Sequence, residues 1–228
     1  TDPFDNVHMG ITAENIAAQW KISREQQDEF AVESHRRAIN AIEKGLFKEQ
    51  ILPVELKTRK GTVVFDKDEH PRADASLEGM AKLRAVFKKD GSITAGNASG
   101  INDGAGMVVL ATEEQVKQQS LKPMARIVSY GRCGVPNEIM GIGPKEAIPR
   151  VLKQVGLSLN DMGWIELNEA FAAQSLAVIG DVGLDPAIVN PLGGAIALGH
   201  PLGATGAIRT ATLLHGLRRR KEKYGMVT

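Results

Sequence analysis

The sequence predicts an α/β protein, a layered sheet with helices packed on its faces. Three observations carry this. Beyond Pro123, strand-like runs alternate with amphipathic helical runs, the order that builds a sheet covered by helices. The strand-like runs are mostly apolar, as buried strands are. And 228 residues are enough for one large domain or two small ones with a sizeable core.

The elements follow in order. Residues 12–20 read as a short helix. Ser23 and Gln26 form a capping box, and helical spacing continues to Gly45, with Phe30, Ala31, Ser34, Ala38, Ala41 and Ile42 on the face turned to a core. Residues 51–56 and 62–65 read as strands separated by the turn-prone Arg59-Lys60-Gly61. Residues 66–75 are polar, contain Pro71 and read as loop; a short helix over 77–83 follows. From Ser92 small residues dominate, and the apolar run 107–110 suits a buried strand. Thr112 and Gln115 form a second capping box, and an organisational boundary falls near here. Beyond it come a strand over 125–130 and a helix over 144–155 that closes at Gly156. Pro149 is expected to kink that helix. A strand over 164–167, a helix over 170–182, a strand at 188–189, a helix over 201–217 and a strand over 224–227 complete the chain.

Composition excludes several functions. A formal net charge of +1 and 4% aromatic residues supply no basic field for nucleic acid or an anionic membrane. The run Arg218-Arg-Arg-Lys221 falls at a helix end, where cations complement the dipole, and reads as a solvated face. Cys133 is the only cysteine, which excludes an internal disulfide and a cysteine-based metal site. No apolar run reaches the ~20 residues of a membrane span. The chain starts at Thr1 and stops at Gly225-Met-Val-Thr228 within a predicted strand, so it is expected to be part of a longer polypeptide.

The chemistry concentrates in Asn190-Pro-Leu-Gly-Gly-Ala-Ile-Ala-Leu-Gly-His-Pro-Leu-Gly-Ala-Thr-Gly206, which holds five glycines, two prolines and one histidine. Glycines allow sharp turns and close backbone approach to a ligand. Pro201 suits a first helical position, which places His200 at a helix mouth, where the dipole favours a neutral imidazole. No Gly-Lys-Ser/Thr follows, so this is not a phosphate-binding P-loop.

Gly199-His-Pro-Leu-Gly203, Asn190-Pro-Leu-Gly-Gly194 and Asn168-Glu-Ala-Phe-Ala172 together resemble the thiolase family. Further matches run along nearly the whole chain: His8-Met-Gly10, Thr12-Ala-Glu-Asn15, Met80-Ala-Lys-Leu83, Thr94-Ala-Gly-Asn-Ala-Ser99 and Met140-Gly-Ile-Gly-Pro144. The resemblance implies an αβαβα layered fold, present in part, with an α+β loop domain. Residues 1–102 would be the loop domain, 103–123 the last strand and helix of the N-terminal half, and 124–228 most of the C-terminal half.

It also implies an activity: thiolysis of a 3-ketoacyl-CoA, or the reverse condensation, through a cysteine acyl-enzyme. His200 takes the place of the histidine that activates the nucleophilic cysteine and donates to a thioester oxygen. Asn168 takes the place of an asparagine that holds a water in an oxyanion hole; by residue type alone, Asn168-Glu169 reads as a helix N-cap. Ala170 and Phe171 would line the acyl pocket. His8, Met9, Arg72, Ala95, Ala98, Ser99, Met140 and Phe171 would surround coenzyme A. Gly79 departs from the expected pattern, since a polar side chain is expected there for the adenine. Cys133, in Gly131-Arg-Cys-Gly134, matches neither cysteine context of the family and is not expected to be the nucleophile; the family's two cysteines belong before Thr1 and after Thr228.

Coenzyme A and acyl-CoA would be substrates, with no tightly bound cofactor and no metal. A homodimer or homotetramer is expected, without nucleic acid or a membrane span. A bacterial cytoplasm or an organelle is the expected setting. The wording of the motifs looks closer to degradative, broad-chain thiolases than to biosynthetic ones, and a ketoacyl-ACP synthase fits the wording poorly. The alternative from another class is a non-catalytic acyl-CoA-binding or subunit-interaction piece.

Overall fold

The computed structural model describes residues 1–228. Helix α1 (Met9–Gln19) is followed by α2 (Arg24–Glu43), which opens on the expected capping box: Ser23 Oγ accepts from the Gln26 N–H and the Gln26 side chain returns to Ser23. The predicted core face of α2 is correct at its centre, with Ala31, Ser34, Ala38 and Ala41 buried and Phe30 and Ile42 at the margin. An antiparallel hairpin of β1 (Val54–Thr58) and β2 (Gly61–Phe65) projects from the body, exposed along both strands. The short α3 (Leu77–Ala81) and α4 (Glu113–Gln118) follow.

The rest of the chain is built around β3 (Met162–Glu166), which pairs in parallel with β4 (Tyr224–Val227). On its other side Ile165 makes a parallel bridge with Val189. Ile165 and Leu167 face α5 (Gly143–Gln154) and α6 (Ala172–Val182), in a cluster with Ile148, Leu152 and Val178. Trp164 faces the opposite way, against Leu213 of α8 (Thr205–Arg220) and Phe47. This is the two-residue alternation of a strand covered on both faces. Met162 breaks it and joins the Ile165 side, because Met162 and Trp164 oppose consecutive residues of β4 and the extra Gly163 acts as a β-bulge.

Three expectations need correction. Residues 107–110 form no strand, and Met107, Val109 and Leu110 are largely exposed. Residues 125–130 likewise pair with nothing, leaving Ile127 and Tyr130 in solvent. Apolar runs become buried strands only where a neighbour offers backbone partners, and no element of this chain does so at either place. Pro149 lies within α5, where the sequence places it. The last helix starts at Thr205, not Pro201; residues 201–204 form a turn in which the Pro201 carbonyl accepts the N–H groups of Ala204 and Thr205. No helix is long and apolar enough to cross a membrane.

Candidate active site

The loop after β3 and the loop before α8 meet at the C-terminal edge of the β3–β4 sheet. Asn190 joins them. Its backbone is left-handed, with φ of 43°, and its side chain behaves as one more strand residue. The Asn190 Oδ1 accepts the Leu167 N–H at 2.9 Å, and its Nδ2 donates to the Leu167 carbonyl at 2.7 Å. The following residue, Asn168, is fixed by its own N–H donating to the Thr228 carbonyl. The N-cap reading of Asn168-Glu169 is therefore wrong: α6 begins at Ala172, with Phe171 as its cap residue.

Glu169 ties both loops to α2. The carboxylate is fully buried and accepts from the Ser34 hydroxyl at 2.7 Å, Asn190 Nδ2 at 2.8 Å and the Ile196 N–H at 3.2 Å. Burial pushes its pKa up against these stabilising bonds. Gly194 is obligatory beside it, because a Cβ there would sit 1.9 Å from the Glu169 carboxyl carbon. Glu166, on the sheet face below, is buried too. It takes the Trp164 indole N–H at 2.7 Å and the Arg209 guanidinium at 3.2 Å, and Arg209 also donates to the Gly193 carbonyl. Burial raises the Glu166 pKa as well.

These anchors hold α7 (Ala195–Leu198), a single turn ended by Gly199 at φ of 90°. That left-handed conformation suits glycine, and a Cβ would strike Asn102 at 2.6 Å. Asn102 Oδ1 accepts the His200 N–H at 3.2 Å. The imidazole is half-buried. Its Nδ1 lies 2.7 Å from Thr205 Oγ1 and its Nε2 lies 3.3 Å from Asn168 Nδ2.

The tautomer follows from the threonine. The Thr205 hydroxyl has one proton, directed to the Pro201 carbonyl at 3.0 Å, so its oxygen accepts from His200 Nδ1–H. Nε2 then carries the lone pair, and the Asn168 amide donates to it. Burial, followed by the charge of Arg209, lowers the His200 pKa, which keeps the ring neutral near pH 7. The helix-mouth origin expected for that neutrality is superseded, since α8 starts five residues further on. Asn168 Oδ1 is buried without a hydrogen-bond partner and is available to accept from a water or a ligand. The pair thus offers a base at Nε2 and an adjacent acceptor. Cys133 is a free, half-buried thiol, and neither His200 nor Asn168 bonds to it.

The remaining expected residues fall into a row and two outliers. His8 caps α1 through Nδ1 and stacks on Phe87, with ring centroids 4.4 Å apart. Phe87 meets Phe171 edge-on at 6.3 Å, Phe171 bridges to Ala98, and the Ser99 N–H donates to the Ala170 carbonyl. Met9 is at the start of α1. Met140 is exposed, in the 3₁₀ turn Asn137–Ile142 that packs on α1 through the bond from Asn15 to the Glu138 carbonyl. Ala95 lies exposed on the neighbouring loop. Arg72 lies apart, its side chain exposed and its N–H donating to His35 Nδ1 at 3.1 Å.

Sequence reasoning missed Phe87, Ser34, Glu166 and Arg209. A charged residue inside an apolar strand, as Glu166 is in Trp164-Ile-Glu-Leu167, was the available signal, because buried acids need partners. His35 was missed as well. Burial, with the neighbouring His70 ring and the Arg72 charge, lowers its pKa from 6.5 to about 4. Between those values the unfolded chain binds the proton that the folded chain refuses, so stability is present above pH 6.5 and is lost as pH falls toward 4. The melting temperature should therefore drop by several degrees across that window. His35→Asn, whose amide oxygen can still accept the Arg72 N–H, should flatten the drop, leaving the share due to His200 less what the raised pKa values of Glu166 and Glu169 offset. Calorimetric scans at stepped pH would check this, and an unchanged slope in the variant would refute it.

This is an α/β protein presenting a neutral histidine and an asparagine on two loops at the edge of its sheet. The family model for the thiolase N-terminal domain matches residues 1–114, and that for the thiolase C-terminal domain matches residues 121–228. The chain belongs to the thiolase family. It is 55% identical over 228 residues to beta-ketothiolase BktB of Cupriavidus necator, covering all of this chain and 58% of that protein. It superposes on the crystal structure of Bacillus anthracis acetyl-CoA acetyltransferase with a TM-score of 0.96 and 51% identity, covering 99% of this chain and 57% of that one. The structure of human mitochondrial 3-ketoacyl-CoA thiolase in complex with CoA matches with a TM-score of 0.94 and 49% identity, over 99% and 56% respectively. The fold is thiolase-like, and the chain spans less than three-fifths of the length of these relatives.

Proposed function

We propose that a full-length protein carrying this chain is a thiolase, exchanging a 3-ketoacyl-CoA and CoA for acetyl-CoA and a shortened acyl-CoA. In thiolysis a cysteine thiolate from outside these residues attacks the 3-keto carbon. The C2–C3 bond breaks and its electron pair leaves on the acetyl-CoA enolate, which takes up a proton. The thiolate of CoA then attacks the acyl-enzyme, forming the shortened acyl-CoA and returning the cysteine. His200 Nε2 accepts the proton of the attacking thiol and serves as donor to a thioester oxygen in the opposite phase. Asn168, through its unpartnered Oδ1, holds a water that donates to the developing oxyanion. The observation that carries this reading is the His200 ring held between Thr205 Oγ1 at Nδ1 and the Asn168 amide at Nε2.

CoA and acyl-CoA are the proposed substrates, and the CoA complex of a human relative supports them. The His8–Phe171–Ala98–Ser99 row, with Met9 and Ala95, is proposed to run along the pantetheine, with Met140 and Arg72 toward the outer end of CoA, and Ala170 and Phe171 to line the acyl pocket. Residues 1–102 are assigned to a loop domain, 103–123 to the end of one thiolase half and 124–228 to most of the other. A homodimer or homotetramer is proposed, in the cytoplasm of a bacterium or in an organelle. For the 228 residues by themselves, the exposed Met107, Val109, Leu110 and Ile127 favour the second reading, a CoA-binding or interaction piece without turnover.

Thiolysis of acetoacetyl-CoA by the full-length protein tests the first reading. Asn168→Ala should lower turnover about 10²-fold, the effect of losing one oxyanion donor, with CoA binding by calorimetry nearly unchanged. Wild-type turnover in that variant would remove Asn168 from the mechanism.

A further inference from the structure

We infer that His70 is a positioning residue for His200, acting through the carbonyl of Ala197; the role rests on the thiolase reading of the site. The segment 193–200 has little structure of its own. Its internal support is a single turn, in which the Leu198 and Gly199 N–H groups reach the Gly194 and Ala195 carbonyls. Five further backbone groups are taken by side chains brought from elsewhere: Ser34 accepts the Gly194 N–H, Glu169 that of Ile196, Asn102 that of His200, Arg209 holds the Gly193 carbonyl and His70 that of Ala197.

One group in this set controls the approach to the histidine. The Ala197 carbonyl is in the last turn of α7, where no intrahelical N–H reaches it, and Ala197 is fully buried. The donor is His70 Nδ1, at 2.9 Å. A carbonyl accepts only, so Nδ1 carries the proton. Immediately beyond Ala197 the chain passes through Leu198 and the left-handed Gly199 to His200. A glycine turn resists rotation weakly, so the orientation of the peptide plane before it fixes where the imidazole lands.

His70 is itself held firmly. Its loop has no regular structure but is fastened to α2 by the Arg72 N–H donating to the buried His35, and the two imidazoles lie nearly parallel, 13° apart in plane and 6.4 Å between centroids. Ser34, adjacent to His35 on α2, holds Gly194 directly. Helix α2 therefore grips the loop at both ends of α7, once through Ser34 and once through His35, Arg72 and His70. Losing the His70 donor would free the Ala197 carbonyl and let His200 Nε2 drift from Asn168 without removing any group that touches substrate.

The test compares three variants of the full-length protein in the thiolysis assay. His70→Ala should lower kcat by about 10²-fold, the penalty of a misplacement near 1 Å, while KM for CoA stays close to that of the wild type. His70→Asn places an amide nitrogen where the ring has Nδ1 and should recover most of kcat. His70→Gln carries its nitrogen out to the Nε2 position and should remain impaired. The Asn and Gln variants decide the question even if the alanine protein folds poorly. Equal kcat in both, or a rise in KM without loss of kcat, would overturn the positioning role. A wild-type protein with no thiolysis would instead overturn the reading beneath it, and this role with it.

Discussion

Replacing His200 by alanine is expected to lower thiolase turnover about 10³-fold, within the ~10²–10⁴ range of a positioned general base. The structure places no other base within hydrogen-bond reach of the Asn168 amide. Only His200 Nε2 lies there, and its tautomer is set by Thr205 on the far side of the ring. CoA binding should survive, because the proposed contacts lie along the row from His8 to Ser99. Steady-state thiolysis by the full-length protein, paired with calorimetric titration of CoA, separates the two effects. Near-normal turnover would strip His200 of its role, whereas lost CoA binding would place it in the binding surface instead. The acid limb of the wild-type rate profile should fall below the ordinary imidazole pKa, since burial and Arg209 both lower that of His200.

Removing Arg209 should have the largest effect on stability. Its side chain and that of Glu166 are 3% and 0% exposed, and Glu169 is buried nearby. Taking away one partner of such a pair leaves an uncompensated buried charge, a loss of about 3–5 kcal/mol. Arg209→Met should lower the urea midpoint of the full-length protein accordingly and also release the Gly193 carbonyl that begins the loop carrying His200. The double variant Glu166→Gln, Arg209→Met should be less damaged than Arg209→Met alone, because the orphaned carboxylate is gone. Additive losses in the cycle would show that Arg209 acts by packing and not through charge.

What the sequence revealed, and what it hid, divides along physical lines. Local rules worked where the causes are local. The capping box at Ser23 and Gln26 and the helix stops at Gly45 and Gly156 depend on neighbours a few residues away. Rules that presuppose a partner failed. Residues 107–110 and 125–130 have strand composition, but pairing is a property of the sheet. The proline-first rule set the last helix at Pro201, while the Thr205 hydroxyl and the turn at 201–204 moved its start. In the site, His200 and Asn168 were legible because their motifs are compact. Glu169 stood in the same motif, yet its function as a buried tie depends on Ser34, distant in sequence, and on Asn190. His35 and His70 were unreadable for the same reason: a lone histidine has no pattern, and only the fold places the two rings side by side.

The loop that carries His200 owes its shape to side chains far away along the chain. Ser34 reaches Gly194 across 160 residues, His70 reaches Ala197 across 127, and Asn102 reaches His200 across 98. Contacts of such span close large loops, with entropy to be met before any bond repays it, and high contact order slows folding. Helices α2 and α6 can form early from local preference, but the geometry around His200 cannot precede the docking of α2 and the segments around His70 and Asn102. The geometry around His200 is therefore among the last features this chain acquires as it folds, and among the first it surrenders when α2 loosens.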